Sequence, residues 1–417
     1  MYNDSVVGML VKGFQMLKRC IGLMLLLALV GCQTNTPDTF IVLPTLADLN
    51  SAATDESATR IAIASPTRRP LPPTFTPSPT ITRVPTDPAL LPTATPGGFR
   101  AAGTLFYLFN NDAIVELTGD GSFEDLLPIP HIGQGLSGLA AAPNDQVMAY
   151  IAPGAGSARE VYVVNRDGSN ARQMSQMGFA EIQTPVWRPD SGALAFIAAQ
   201  SDNAPMGIYI VELNTGNQRR LLELPTRELR DLAWDRLGSR LFFSNQTLFV
   251  LNVESGALSG SLTEFTGFGP DFSPVHNPNG PELYYLKMMG NLNTGQRGGI
   301  LSFFATDEIT EPMVERRGAE LYASSLEYSR DGAYLLIASD KGIWVQDQSI
   351  QTASEIIRDM PVPPRPALSP DGEQVAFIGL DERAVEQIYV MDRRGGPVTQ
   401  LTFHQDGTIT DLVWVAG

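Results

Sequence analysis

The sequence predicts an all-β fold, a β-propeller of seven four-stranded blades, and three observations predict it. A phrase recurs through residues 103–417, four short strands accompany each copy, and the two ends of the array are incomplete in complementary ways. The phrase is an alternating strand, a turn of the Pro-Asp-Gly kind, then a second strand rich in apolar and aromatic residues. It reads Pro185-Val186-Trp187-Arg188-Pro189-Asp190 into Leu194 to Ile197, and Pro366-Ala367-Leu368-Ser369-Pro370-Asp371-Gly372 into Val375 to Ile378. Weaker copies are Leu139 to Pro143 before Val147 to Ile151, Leu232-Ala233-Trp234 before Leu241 to Phe243, and Pro270 to Pro274 before Leu283 to Leu286. Another runs from Leu326 through Ser329-Arg330-Asp331-Gly332 into Tyr334 to Ile337.

Third strands follow, among them Val161 to Val164, Ile208 to Val211, Leu248 to Leu251, Ile300 to Phe304, Ile343 to Val345 and Ile388 to Met391. Most lead into glycine turns such as Arg166-Asp167-Gly168 and Asn214-Thr215-Gly216, where φ > 0 costs glycine nothing. The first strands recur at steps of 46, 47, 38, 56, 40 and 46 residues. Four short strands in such a step are the grammar of a propeller blade. A last first strand, Leu412-Val413-Trp414, has nothing after it, while Leu105 to Leu108, Ala113 to Leu117 and Phe123 to Leu127 have no first strand. Joining them completes one composite blade and removes the sheet edges that an open array would have to protect.

The best copy runs from Pro366 through Ile388-Tyr389-Val390-Met391-Asp392 to Gln400-Leu401-Thr402. It resembles the TolB-like, WD-repeat-like family of bacterial propeller repeats, whose blade carries Pro-x-Trp-Ser-Pro-Asp-Gly and a later Ile-Tyr-Val-x-Asp strand. The resemblance covers residues 103–417 and implies a fold, not a function, because such propellers serve partner-binding proteins, peptidases and polysaccharide lyases. Periplasmic TolB carries an α/β domain before its propeller, and here a Pro/Thr-rich segment stands in that place.

The N-terminus reads as an address. Lys12, Lys18 and Arg19 precede an apolar run from Ile21 to Val30, too short to span ~30 Å of hydrocarbon and matching a secretory signal. Leu29-Val30-Gly31-Cys32 resembles the bacterial lipobox, which implies removal of residues 1–31 and acylation of Cys32. Met16 is an alternative start. Gln33 stands where an aspartate would signal retention at the inner membrane, so the expected place is the outer membrane of a diderm cell or the outer face of a monoderm membrane. Residues 32–98 are dominated by Thr, Pro, Ser and Ala, as in Pro72-Pro73-Thr74-Phe75-Thr76-Pro77, a composition expected to stay disordered as a tether. About 65 extended residues reach on the order of 200 Å. Residues 99–417 form the propeller.

Composition excludes several classes. The chain has 29 basic and 45 acidic residues, a net charge of -16, which argues against nucleic acid as a partner. Loss of residues 1–31 removes Lys12, Lys18, Arg19 and Asp4, leaving the remainder more acidic still. Two cysteines supply neither a disulfide scaffold nor a four-thiolate zinc site, and both Cys20 and Cys32 precede the propeller.

Chemistry-bearing motifs are sparse. Asp190, Asp331 and Asp371 recur, but an Asp-Gly pair between strands makes a turn. Trp187, Trp234, Tyr328 and Trp414 occupy one repeat position and read as packing between blades. His131, His276 and His404 are isolated, whereas a resemblance to the oligogalacturonate lyases would require histidines gathered around a metal. No Gly-x-Ser-x-Gly elbow, phosphate loop or calcium loop is present, and a peptidase would need a hydrolase domain beyond Gly417. No catalytic residue, metal site or cofactor is therefore assigned. The candidate binding loop is the irregular segment Lys287 to Gly299, with Lys287, Asn291, Asn293, Gln296 and Arg297 as its polar residues.

The expectation is a lipid-anchored, extracytoplasmic, monomeric propeller that acts without catalysis as a binding or scaffold module for a protein or glycan at the cell envelope. The alternatives are a carbohydrate-active or other hydrolytic propeller with a site dispersed over several blades, and an envelope assembly factor resembling TolB.

Overall fold

The computed structural model describes residues 103–156, 158–290, 297–306, 316–317, 323–339, 342–360 and 365–417. The signal expected at 1–31 and the tether expected at 32–98 lie outside the described residues. Every regular element among the described residues is a β-strand, and the strands form seven antiparallel blades.

Blade 1 comprises Ser137–Ala141, Val147–Pro153, Arg159–Asn165 and Arg172–Gln173. In blade 2 the first strand is split into Glu181–Ile182 and Val186–Trp187, followed by Ala193–Ala199, Met206–Glu212 and Gln218–Leu224. Blade 3 holds Arg230–Trp234, Arg240–Asn245 and Thr247–Asn252. Blade 4 holds Phe272–His276, Glu282–Gly290, Arg297–Ala305 and Arg316–Arg317. Blade 5 holds Ala323–Tyr328, Tyr334–Ser339, Gly342–Asp347 and Thr352–Ile357, and one pairing, Gly299 with Ala323, links it to blade 4. Blade 6 holds Ala367–Leu368, Gln374–Leu380, Glu386–Asp392 and Thr399–Gln400. Blade 7 is composite: Ile409–Val415 pairs with Thr104–Phe109, which continues into Ala113–Thr118 and Glu124–Leu126. The ring closes through the two chain ends, as the complementary termini predict.

Blade 3 departs from the four-stranded expectation, because its outer strand is reduced to a bridge between Leu251 and Leu258. The cause is visible in its hydroxyls. Ser259 Oγ accepts the Val250 N–H at 3.0 Å and Thr263 Oγ1 accepts the Leu248 N–H at 3.1 Å, so side chains stand in for the missing ladder. The same substitution ends the outer strands of blades 1 and 6, where Ser175 Oγ accepts from Val161 and Thr402 Oγ1 from Ile388, both at 2.8 Å. That is what the Gln400-Leu401-Thr402 phrase does: its threonine satisfies a buried third-strand N–H and donates to Gln387 Oε1 at 2.9 Å.

The core lies between blades. Each junction carries its own apolar cluster, for example Leu105, Ile388 and Trp414 between blades 6 and 7, and Trp234, Phe243 and Ile210 between blades 2 and 3. Aromatic pairs stack across the second and third strands, with Tyr284 over Phe303 at 4.7 Å and Phe196 over Tyr209 at 5.7 Å. These pairs explain the tyrosine that recurs in the third strands.

Candidate functional site

The first strand of each blade faces the ring axis, so its inner edge must satisfy its own backbone groups. Every junction does so with a side chain. Asp411 Oδ2 of blade 7 accepts the Gly138 N–H of blade 1 at 2.8 Å. Trp187 Nε1 donates to Ala140 O at 3.0 Å, and Trp234 Nε1 to Val186 O at 3.1 Å. Asp231 Oδ2 accepts from Ser273 N at 3.1 Å, and Ser273 Oγ in turn accepts from Leu326 N at 3.0 Å. The Glu327 carboxyl faces the Leu368 N–H, and Arg365 Nη1 donates to Ile409 O at 3.0 Å. Asp231, Ser273 and Asp411 hold left-handed backbone, with φ of 50°, 51° and 51°, each at an irregularity of its strand pairing. At the matching position of blade 1 stands Gly138, with φ of 65° and a Cβ position that would lie 2.6 Å from Ile151 Cδ1.

Of these residues Gly138, Val186, Asp231, Ser273, Leu326 and Asp411 line a cavity of about 610 Å³ on the axis. Its walls combine Ile151, Ile197, Leu232 and Leu326 with a polar set, Thr184, Asp231, Ser273 and Asp411. Desolvation pushes the Asp231 carboxyl above its ordinary range, against the pull of the Ser273 N–H. Glu327 keeps some accessible surface yet is surrounded by protein, and desolvation pushes it up to about 7 against the pull of the Leu368 N–H and the Arg330 charge.

One face of the ring carries the mouth. Each first strand starts opposite the end of its second strand, as in Ser137 with Ile151, Arg230 with Ser244 and Phe272 with Leu286. The connections between second and third strands therefore share a face with Thr184, Asp231, Ser273 and Asp411. On that face blade 4 stands tallest. Its second strand continues past Lys287 to Gly290, whereas those of blades 3 and 5 stop at Asn245 and Ser339, in register with Lys287. The excess over those two is roughly 10 Å of ribbon, and over blades 1, 2 and 6, whose second strands end at Pro153, Ala199 and Leu380, roughly 7 Å. Thr266 Oγ1 braces it by donating to Met288 O at 2.8 Å.

Among its described residues, the candidate loop is paired strand on both sides, Lys287 to Gly290 against Arg297 to Ile300. Lys287 is buried and pairs in register with Ile300, and Arg297 pairs with Gly290 in the strand ladder. Asn291, Asn293 and Gln296 lie outside the described residues. Cys32 does as well.

The histidines are held apart, each in local contacts. The His131 ring packs 4.2 Å from Tyr162, with Nδ1 3.0 Å from the Tyr150 hydroxyl. His276 bonds Asn277 O at 2.8 Å and Thr306 Oγ1 at 2.9 Å. His404 Nε2 lies 3.0 Å from the Tyr107 hydroxyl and 3.3 Å from Glu124 Oε1. Desolvation lowers the pKa of all three. Among the described residues no three His, Cys, Asp or Glu side chains form a group that could hold a metal ion. The recurrent aspartates hold turns: Asp190 Oδ1 accepts from Gly192 N at 2.8 Å, Asp331 Oδ1 from Ala333 N at 3.0 Å and Asp371 Oδ1 from Glu373 N at 3.1 Å.

No protein-family model matches the chain, and no curated protein matches it in sequence. Solved structures do resemble it. An oligogalacturonate lyase in complex with manganese is similar over 73% of this chain and 87% of its own, at 13% identity and a TM-score of 0.50. A prolyl endopeptidase is similar over 76% of this chain and 50% of its own, at 14% identity and a TM-score of 0.52. TolB from Acinetobacter baumannii aligns over 75% of this chain and 82% of its own, at 14% identity and a TM-score of 0.47. The fold is a seven-bladed β-propeller. At such identities the likeness speaks to fold alone.

Proposed function

We propose that this protein is a non-enzymatic binding module, held at the cell envelope by lipid on Cys32 and spaced from the membrane by residues 33–98, whose mouth face engages a protein or glycan. One observation carries the reading: the axial cavity and the overtopping hairpin of blade 4 occupy the same face. A rigid ring that presents a concave mouth beside a projecting ribbon suits capture of a partner. The lipobox-like Leu29-Val30-Gly31-Cys32 and the Pro/Thr-rich composition after it support display away from the membrane.

Photo-crosslinkers placed in the full-length chain at Thr294, in the segment that joins Gly290 to Arg297, and at Ile350, on the face opposite the mouth, test the binding half. Reproducible crosslinks to one envelope component from 294 and none from 350 are expected. Crosslinking from 350 alone would overturn the assignment of the face, and turnover of an envelope polysaccharide or peptide by the purified protein would overturn the non-enzymatic reading. Cys32→Ser tests the anchor, and its release from the membrane fraction is the expected result.

A further inference from the structure

Blade 5 breaks the repeat at two positions that are three residues apart. Aligned by the pairing of the first and second strands, the other blades place Ala140, Val186, Ala233, Val275, Ala367 and Val413 where blade 5 places Glu327. They place Pro143, Pro189, Arg236, Pro278, Pro370 and Ala416 where blade 5 places Arg330. A small apolar residue stands at the first position in all six other blades and proline at the second in four of them; blade 3 also carries an arginine, Arg236, at the second, so the acidic Glu327 together with Arg330 is what sets blade 5 apart.

The bonds of Arg330 show what it does there. Its Nη1 donates to Pro143 O of blade 1 at 3.2 Å, its Nη2 to Trp414 O of blade 7 at 3.2 Å, and it pairs with the Asp145 carboxylate of blade 1. Blades 7 and 1 stand two and three places round the ring from blade 5. A single side chain from blade 5 that touches both must run along a chord across the end of the channel. That end is opposite the mouth, because Pro143, Asp145 and Arg330 sit in the turns that follow the first strands and Trp414 near the end of its own. The Asp145 side chain is only 12% exposed, so its charge needs a partner. A guanidinium can serve a carboxylate and two carbonyls at once, and an ammonium on a flexible stem fits such a fork less well.

We propose that Arg330 is a lock across the axis: it closes the channel opposite the mouth and fastens the composite blade and blade 1 to the far side of the ring. This closure is distinct from the strand pairing of the two chain ends and does not depend on what the mouth binds. In this reading the channel is a blind pocket.

Hydrogen exchange by mass spectrometry on the full-length chain tests the lock, comparing the native protein with Arg330→Met, Arg330→Lys, Asp145→Asn and, as a control in the same blade, the exposed Arg358→Met. Arg330→Met is expected to speed exchange of peptides covering 409–415 and 144–147 about tenfold, with blade 3 unchanged. Arg330→Lys should fall between, Asp145→Asn should reproduce the effect, and the double variant Arg330→Met with Asp145→Asn should add little to either. Faster exchange confined to residues 329–332, or fully additive effects of the two substitutions, would overturn the proposal. If Arg330→Met does not accumulate, Asp145→Asn carries the same comparison, since asparagine tolerates the left-handed backbone of that position, φ 61°.

Discussion

Asp411 offers a stringent test of how the ring is held at the composite blade. Its Oδ2 accepts the Gly138 N–H at 2.8 Å and lies 3.4 Å from the Leu139 nitrogen, so one good charge-assisted bond crosses the junction. Such a bond contributes about 1.5–3 kcal/mol, and the channel side of the strand lets water replace part of it, which favours the lower value. The residue also sits at φ 51°, where alanine costs about 1 kcal/mol more than aspartate or asparagine. Asp411→Ala is therefore expected to lose about 2–3 kcal/mol. Asp411→Asn keeps a neutral acceptor and a residue that tolerates the backbone, and should lose about 1 kcal/mol. Asp411→Gly relieves the backbone but forfeits the bond, and should fall between. For a ring of this size each kcal/mol moves the melting point by roughly 2 °C. Scanning calorimetry at one scan rate should rank native, Asn, Gly and Ala in descending order, with Ala about 4–6 °C below native. Equal melting of the Asn and Ala variants, or an Ala variant that melts like the native protein, would refute the reasoning.

Glu327→Gln tests the raised carboxyl: a folded-state pKa above the ordinary value makes the native protein lose stability as pH rises from about 4.5 to about 7, so the substitution should flatten the melting-point profile over that window and raise the melting point at pH 8. An unchanged profile would show that Glu327 is not the group responsible. Thr402→Val keeps the shape but strands the buried Ile388 N–H and a Gln387 bond, at a cost of about 1–3 kcal/mol, read as a melting point lowered by several degrees. Removing residues 409–417 exposes the edge of Thr104–Phe109 and should abolish the single cooperative melt and produce aggregates on size-exclusion chromatography.

Much of the architecture was legible because a propeller repeats its grammar. The turn aspartates, the third-strand tyrosines and the orphan strands at both ends each follow from a local rule, and the pairing of Thr104–Phe109 with Ile409–Val415 realises the expected composite blade. The short outer strand of blade 3 was not legible, since a hydroxyl that replaces a ladder bond looks in sequence like any loop serine. The channel residues were hidden for a different reason. Asp231 and Asp411 open the same four-residue phrase, Asp-Leu-x-Trp, one position before the apolar strand begins, so a search that starts at the apolar run passes over them. Glu327 and Arg330 were visible as letters inside the phrase, and only alignment of the copies marks them as departures. The meeting of Arg330 with blades 7 and 1 depends on ring curvature, which no spacing along the chain encodes. Lys287 reads as loop in the sequence because the segment to Gly299 is irregular and longer than its equivalents, whereas a nine-residue ladder carries the strand through Lys287 to Gly290.

The ring is closed by its own ends, and a disulfide measures that directly. In the full-length chain with Cys20→Ser and Cys32→Ser, Thr104→Cys and Val415→Cys place thiols on residues directly opposite in the closing pair, within reach of a bridge. The account expects one intramolecular disulfide to form under mild oxidation, seen as faster migration on a non-reducing gel that reverts on reduction. Two freely alkylated thiols in a protein that still melts cooperatively would contradict it.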